Sequence, residues 1–206
     1  VRSRRTAPAS LWIWAVVLRG IALALPLVLS DDVYRYLWEG KVQLAGLSPF
    51  VYPPDADALV QLRDAVWDQV NHRGVSTVYP PLALHGFRAV AATWYDPLAW
   101  KVLSALADLG VLATLRAVVR GRAGAAWAPA VYAPHPLPVL ESAGSGHLEA
   151  IALLGLVLAI WLWDRGRPGS AIFAAGLGAL VKLLPVVAIL PMLRRADRRS
   201  GQRSAA

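Results

Sequence analysis

Apolar residues along this 206-residue chain fall in blocks rather than in alternation. The blocks run from Leu11 to Leu29, Leu98 to Val119, Ala125 to Leu140, Leu148 to Trp163 and Ser170 to Leu193. Each approaches the roughly 20 residues with which a helix crosses a bilayer, so the pattern predicts an all-α, polytopic membrane helical bundle. The stretch 30–96 differs, because its apolar positions recur at helical spacing among polar ones. Val33, Leu37 and Trp38 share one face of a short helix lying on the membrane surface, and Arg35 and Glu39 form an i,i+4 pair on another. Gly46 and Pro49 stop it. Leu59, Leu62, Val66, Trp67 and Val70 line one side of a second amphipathic helix over Asp55 to Asn71, which Gly74 ends. Pro80 and Pro81 then open a segment from Leu82 to Trp94, either interfacial or a tilted half-span.

Composition sharpens the class. Hydrophobic residues make up 57% of the chain and mean hydropathy is +0.47, values uncommon for a soluble domain of this size. The net charge is +8, yet residues 30–80 hold four Lys/Arg against seven Asp/Glu. The excess sits beside the apolar blocks, at Arg2, Arg4 and Arg5, at Arg116, Arg120 and Arg122, at Arg165 and Arg167, and from Arg194 to Arg203. That is the positive-inside pattern of membrane topology and not a nucleic-acid footprint. Without cysteine, neither a disulfide framework nor a thiolate metal site can form. The expected layout is one membrane domain over 1–206. Residues 10–29 form an uncleaved first transmembrane helix and 30–96 an outer loop with interfacial helices. Residues 97–193 form further transmembrane or re-entrant helices, and 194–206 a basic tail. Lys182 and Pro185 interrupt the last block, which has basic residues on both sides, so a broken hairpin with both ends inside is expected there. Arg19 is costly in lipid and should face protein or snorkel.

Three places carry candidate chemistry. Asp31 and Asp32 sit where the first apolar run meets water. Asp is a favoured helix cap, but one suffices, and adjacent carboxylates raise each other's proton affinity, so one can cap while the other acts as a general base. Glu141, His147 and Glu149 bracket the flexible run Gly144-Ser145-Gly146. Their spacing matches no common metal-ligand set, so no metal is expected. Lys182, inside an apolar segment beside a proline break, should line a cavity and could hold a lipid phosphate. Lys101 and Asp108, seven residues apart, are expected to neutralise each other along one helix face.

Taken together, Asp31-Asp32-x-Tyr-Arg-Tyr-x-Trp-x-Gly, Tyr79-Pro80-Pro81-Leu82, Ala143-Gly144-Ser145-Gly146-His147 and Leu180-Val-Lys182-x-x-Pro185 resemble the GT-C integral membrane glycosyltransferases. The likeness is to bacterial polyprenyl-phosphate-mannose-dependent mannosyltransferases of lipoglycan synthesis and covers nearly the whole chain. It implies a GT-C-like N-terminal module in the plasma membrane with its active site facing outward. It implies a polyprenyl-phosphate-sugar donor, a glycan or lipid-linked acceptor, transfer with inversion and no cofactor. The catalytic acid falls on Asp31 or Asp32. Arg35, His147 and Lys182 match cations that stabilise the departing phosphate, and Tyr34, Glu39, Tyr79 and Glu149 complete the substrate-binding set. Members of the family are longer, so the chain is expected to be an N-terminal half that a second transferase half completes. The alternatives are a non-catalytic membrane partner of a fuller transferase, or a small transporter relaying charge through Lys101, Asp108 and Lys182.

Overall fold

A proline sets the length of the first helix. Helix α1 runs Ala9–Leu23 rather than on to Leu29, because Pro26 has no N–H to continue the ladder and its ring clashes with the preceding turn. The chain closes instead through tight bonds from Ala24 N to Ile21 O and from Leu25 N to Ala22 O. Fifteen residues rise about 22 Å, short of a hydrocarbon core of about 30 Å. A computed structural model describes residues 9–120, 122, 125 and 127–193. The basic clusters at Arg2, Arg4 and Arg5 and from Arg194 to Arg203 lie outside the described residues.

All regular structure among the described residues is helical: α2 Asp32–Leu44, α3 Pro81–Thr93, α4 Pro97–Val119, α5 Ala128–Tyr132, α6 Pro136–Val139, α7 Glu149–Asp164 and α8 Pro168–Ala179. Among them α4, 23 residues long, is the one helix long and apolar enough to cross a membrane. Its Asp96 caps it by accepting from Leu98 N, with Pro97 at the first position.

The polar residues of α4 do not pair with each other as their spacing suggested. Asp108 is 1% exposed and accepts from Arg19 of α1, at 2.6 Å from Nε and 2.5 Å from Nη2. The Tyr132 hydroxyl of α5 donates to its other oxygen. Arg19 also donates to Ala15 O at 3.0 Å and to Ala133 O at 2.9 Å. The prolines at 134, 136 and 138 break the helix after Ala133, and the guanidinium takes up a carbonyl left there. Lys101 instead donates to Leu23 O at 2.8 Å and Leu25 O at 2.6 Å, carbonyls orphaned where α1 stops. Both cations therefore mend backbone breaks in an apolar setting.

Small residues allow close helix packing. Between α7 and α8, a Cβ on Gly155 would lie 2.9 Å from Ala174 O, and one on Gly178 would lie 2.8 Å from Ala152 O. After α8 the chain breaks at 180–185 and resumes as a helix over 186–193, where Ala188, Ile189 and Met192 return to pack on Ala159, Ala171 and Ala175. The last apolar block is thus broken around Lys182 and Pro185, and its second part packs on α7 and α8.

The segment 30–96 departs from its pattern in two ways. Helix α2 does not lie on a surface: Val33, Tyr36, Leu37, Trp38 and Val42 are buried, and so are Arg35 and Glu39 on the other face. Its Gly40 lets α3 approach so closely that a Cβ would sit 2.2 Å from Phe87 O. The 55–71 stretch is not an α-helix but two short 3-10 turns, Asp57–Leu62 and Trp67–Gln69. Asp64 Oδ1 intercepts the N–H groups of Val66 and Trp67 at 3.1 and 3.0 Å, a local side-chain bond that competes with helix. The predicted apolar set still packs inward, with Leu59 and Val70 buried beside Leu62, Val66 and Trp67 against Trp38 and Val42.

Candidate active site

The Asp31–Asp32 pair begins α2, as its spacing predicted, but neither carboxylate caps the helix with its side chain. Both accept from one amide instead: Asn71 Nδ2 lies 2.6 Å from Asp31 Oδ1 and 2.9 Å from Asp32 Oδ1. Arg35 is the reason Asn71 stands there. It is 5% exposed and donates to Asn71 O, His72 O and Val75 O at 3.4, 3.1 and 2.5 Å, and to Glu39 Oε1 at 2.9 Å. The strap it pins carries a left-handed residue, His72 at φ 45°, a conformation that such anchoring sustains. Arg35, expected to meet a phosphate, is thus committed to holding the loop. Glu39, 2% exposed, is also interior and accepts from Thr77 Oγ1 at 2.7 Å. Burial pushes its carboxyl upward, while Thr77 and Arg35 pull it down. Tyr34 is half-buried between the two cores that flank α2.

The second wall of the site comes from the glycine-rich connection. Helix α6 passes into a π-turn, Leu140–Gly144, a form often found at functional sites. Gly146 then adopts φ +71°. These turns bring His147 beside Asp32, with Nε2 3.9 Å from Asp32 Oδ2. The other ring nitrogen, Nδ1, is 2.5 Å from Glu141 Oε2. With the Nδ1 hydrogen assigned to Glu141, Nε2 faces the aspartate, and that atom is buried without a hydrogen-bond partner. Glu149, the first residue of α7, pairs with Lys182 from the break after α8. Both of those side chains are about half exposed, so Lys182 is free to exchange partners at the opening. The α3 amides of Leu82 and Ala83 donate to Leu180 O at 3.2 and 3.4 Å, which ties that break to the Tyr79-Pro80-Pro81 turn.

Beneath the acids lies an aromatic floor. Tyr36 stacks on Phe87 at 4.7 Å, and Tyr79 and Trp100 meet Tyr36 edge-on at 5.2 and 5.6 Å. Burial, and then the neighbouring Asp32 carboxylate, hold the Tyr79 phenol far above its ordinary range. Tyr36 is raised by burial, by Tyr79 and by Asp32 and Glu149. Both hydroxyls stay protonated at any physiological pH. To one side an apolar groove of about 230 Å³ runs between Leu25, Pro26, Val28 and Leu29 and, on the other wall, Leu140 and Gly144 of the π-turn and the following Ser145. Its lining residues Leu29 and Ser145 stand two positions along the chain from Asp31 and His147.

Of the predicted site residues, Asp31, Asp32, Tyr79, His147, Glu149 and Lys182 gather around this opening, whereas Arg35 and Glu39 support it from behind. Asn71 was not anticipated, since its contact spans 40 residues and an asparagine in a polar loop carries no signal of its own. Glu141 was visible only as part of a polar cluster.

A family model described as Alpha-(1->6)-mannopyranosyltransferase, N-terminal domain, of the MptA_B family, matches residues 1–195. The chain belongs to this mannosyltransferase family. No curated protein and no solved structure matches it. The MptA_B match makes the chain part of a glycosyltransferase, for which a sugar donor and a glycan acceptor are the substrates. Its nearly complete coverage places all four quoted motifs inside the family domain.

Proposed function

We propose that the chain transfers mannose from a polyprenyl-phosphate donor to a hydroxyl of a glycan or lipoglycan at the outer face of the plasma membrane, with inversion at the anomeric carbon. The observation that carries this reading is the line Asp32–His147–Glu141, whose members adjoin in sequence the residues that line an apolar groove. The groove suits an isoprenoid chain, and its end suits the phosphate and sugar. In this arrangement α1, α4, α7 and α8 are the membrane helices of a multi-pass bundle.

Asp32 is the base. It takes the proton of the acceptor hydroxyl as that oxygen bonds to the anomeric carbon, and the bond from carbon to phosphate oxygen breaks with its electron pair leaving on the lipid phosphate. Asn71 fixes the carboxylate by donating to the oxygen not facing His147. Asp31, more exposed and bound to the same amide, shares this clamp without facing the imidazole. Lys182 moves from Glu149 to the departing phosphate, and His147, held by Glu141, borders the base.

The test is transfer of radiolabelled mannose from polyprenyl-phosphate-mannose in membranes expressing the chain, beside Asp32→Asn and Asp31→Asn variants. Asp32→Asn should lower the rate by about 10²–10⁴-fold, with Asp31→Asn much less affected. Full activity of Asp32→Asn would refute the assignment. Donor binding without transfer by any form would favour the second reading, a lipid-sugar-binding half that needs a further transferase segment. The matched domain's description as N-terminal is the observation behind that reading.

A further inference from the structure

We infer that one turn of α4, Trp100 to Ser104, is the positioning element of the site, with Lys101 and Ser104 setting the separation of Asp32 and His147. The inference rests on the reading of those two residues as the reacting pair.

The two halves of the site belong to chain segments more than a hundred residues apart, and each is tied to this turn. On one side the Lys101 ammonium, 4% exposed, holds the carbonyls of Leu23 and Leu25. From Leu25 only six residues lead to Asp31. Pro26 fixes one backbone angle of that link, and bonds from Val28 N to Pro26 O and from Asp32 N to Ser30 Oγ tighten it. The aspartates therefore hang from the ammonium on a short, stiff tether.

On the other side Ser104, 0% exposed, donates from Oγ to His147 O at 2.8 Å. Gly146 lies flat on the same turn: a Cβ there would be 3.2 Å from Lys101 N and 3.3 Å from Trp100 C. Its positive φ and its bare Cα are both required, which is why glycine precedes the histidine. The bond from His147 N to Glu141 O, 3.0 Å long, then carries the register on to the acid that orients the imidazole. Lys101 thus touches the base's segment with its side chain and the histidine's segment with its backbone. Neither residue reaches the reacting atoms; both act through the groups they hold.

A hydroxyl and an ammonium buried in an apolar helix have another possible role, simple stabilisation, and the experiment must separate the two. The chain has no cysteine, so two introduced cysteines at Leu29 and Leu137, both well exposed, can carry nitroxide labels without background. Distances between them are read by pulsed electron paramagnetic resonance in the otherwise unaltered full chain, and, because Leu29 lines the apolar groove, kcat and KM per folded molecule are measured on the unlabelled chain that keeps both leucines. Lys101→Met should shift or broaden the distance distribution beyond its width in the parent and cut kcat by about 100-fold, the cost of roughly 1 Å of misplacement, with KM for the donor within threefold. Ser104→Val should lower kcat in the same way and Ser104→Thr should restore it, since only the hydroxyl distinguishes them. An unchanged distance distribution in Lys101→Met, or equal kcat in Ser104→Val and Ser104→Thr, would overturn the inference. If Lys101→Met does not fold, the Ser104 pair decides the matter. If the parent chain transfers no sugar, the reaction reading fails on its own account, and the label distances still judge the positioning.

Discussion

Replacing Arg19 by Met tests the account of the apolar core. Arg19 and Asp108 are 2% and 1% exposed. Removing the guanidinium leaves a buried carboxylate with the Tyr132 hydroxyl as its remaining donor and frees the carbonyls of Ala15 and Ala133. Breaking a buried ion pair from one side costs about 3–5 kcal/mol, which for a chain of this size lowers the midpoint of thermal unfolding by about 8–16 °C, taking 4 kcal/mol and 2–4 °C per kcal/mol. Asp108→Leu should cost a similar amount, because the guanidinium then keeps only carbonyl partners. The double variant has no orphan charge. It loses two carbonyl bonds and strands one hydroxyl, at about 1 kcal/mol each, so it should cost about 3 kcal/mol in total. The assay is thermal unfolding in detergent micelles followed by fluorescence, for which the chain offers nine tryptophans. A double variant that loses as much as the two single variants together would refute the argument, since the penalty would then not arise from uncompensated charge. Losses below about 1 kcal/mol in both single variants would refute burial of the pair, such values being typical of exposed pairs.

Three further outcomes follow from the structure. Asn71→Ala should reduce kcat/KM for mannosyl transfer by about tenfold or more, the worth of one hydrogen bond to a charged group; Asn71→Asp, which sets a third carboxylate against Asp31 and Asp32, should be worse. Gly40→Ala forces α2 from α3, because the added Cβ meets backbone at 2.2 Å, and should destabilise by about 1–3 kcal/mol or more; Gly20→Ala in α1, with nothing within 4 Å, should stabilise by up to about 1 kcal/mol, as a melt of both will show. Burial raises the Asp64 carboxyl, but the bonded Lys41 ammonium and the Trp67 amide outweigh it and hold the group below its ordinary range; its stabilisation is therefore complete above about pH 4 and fades as pH falls through the lower folded value. An Asp64→Asn variant should lack that part of the acid sensitivity in a pH series of melts.

What the sequence disclosed and what it withheld divide by range of interaction. The Arg35–Glu39 pair, the proline-opened start of α3, the extent of α4 and the break around Lys182 and Pro185 rest on neighbours within a turn or two, and spacing reveals those. The 55–71 stretch had helical spacing too, but Asp64 takes the amides that a helix needs, and a periodicity of apolar positions does not register such competition. Lys101 and Asp108 looked like partners at i and i+7, yet each found better-placed groups on α1. The clamp of Asn71 on both aspartates depends on Arg35 holding a loop some forty residues away, and the approach of His147 depends on α4. Tertiary packing alone creates those contacts. The acids and the histidine were therefore legible as residues, and their mutual placement was not.

The bond between Arg19 and a carboxylate 89 residues downstream also sets a schedule for biogenesis in the bundle proposed here. An arginine within an apolar segment costs roughly 2.5–3.5 kcal/mol on entry into lipid, and its neutralising partner does not exist when α1 leaves the ribosome. At about 5–20 residues per second, Asp108 emerges roughly 5–18 s later. During that interval α1 must wait beside the insertion machinery, or shallow in the interface, until α4 arrives to admit it. Entry of the first helix and entry of the fourth are then a single event, and a nascent chain halted before residue 108 should leave α1 open to extraction from the bilayer.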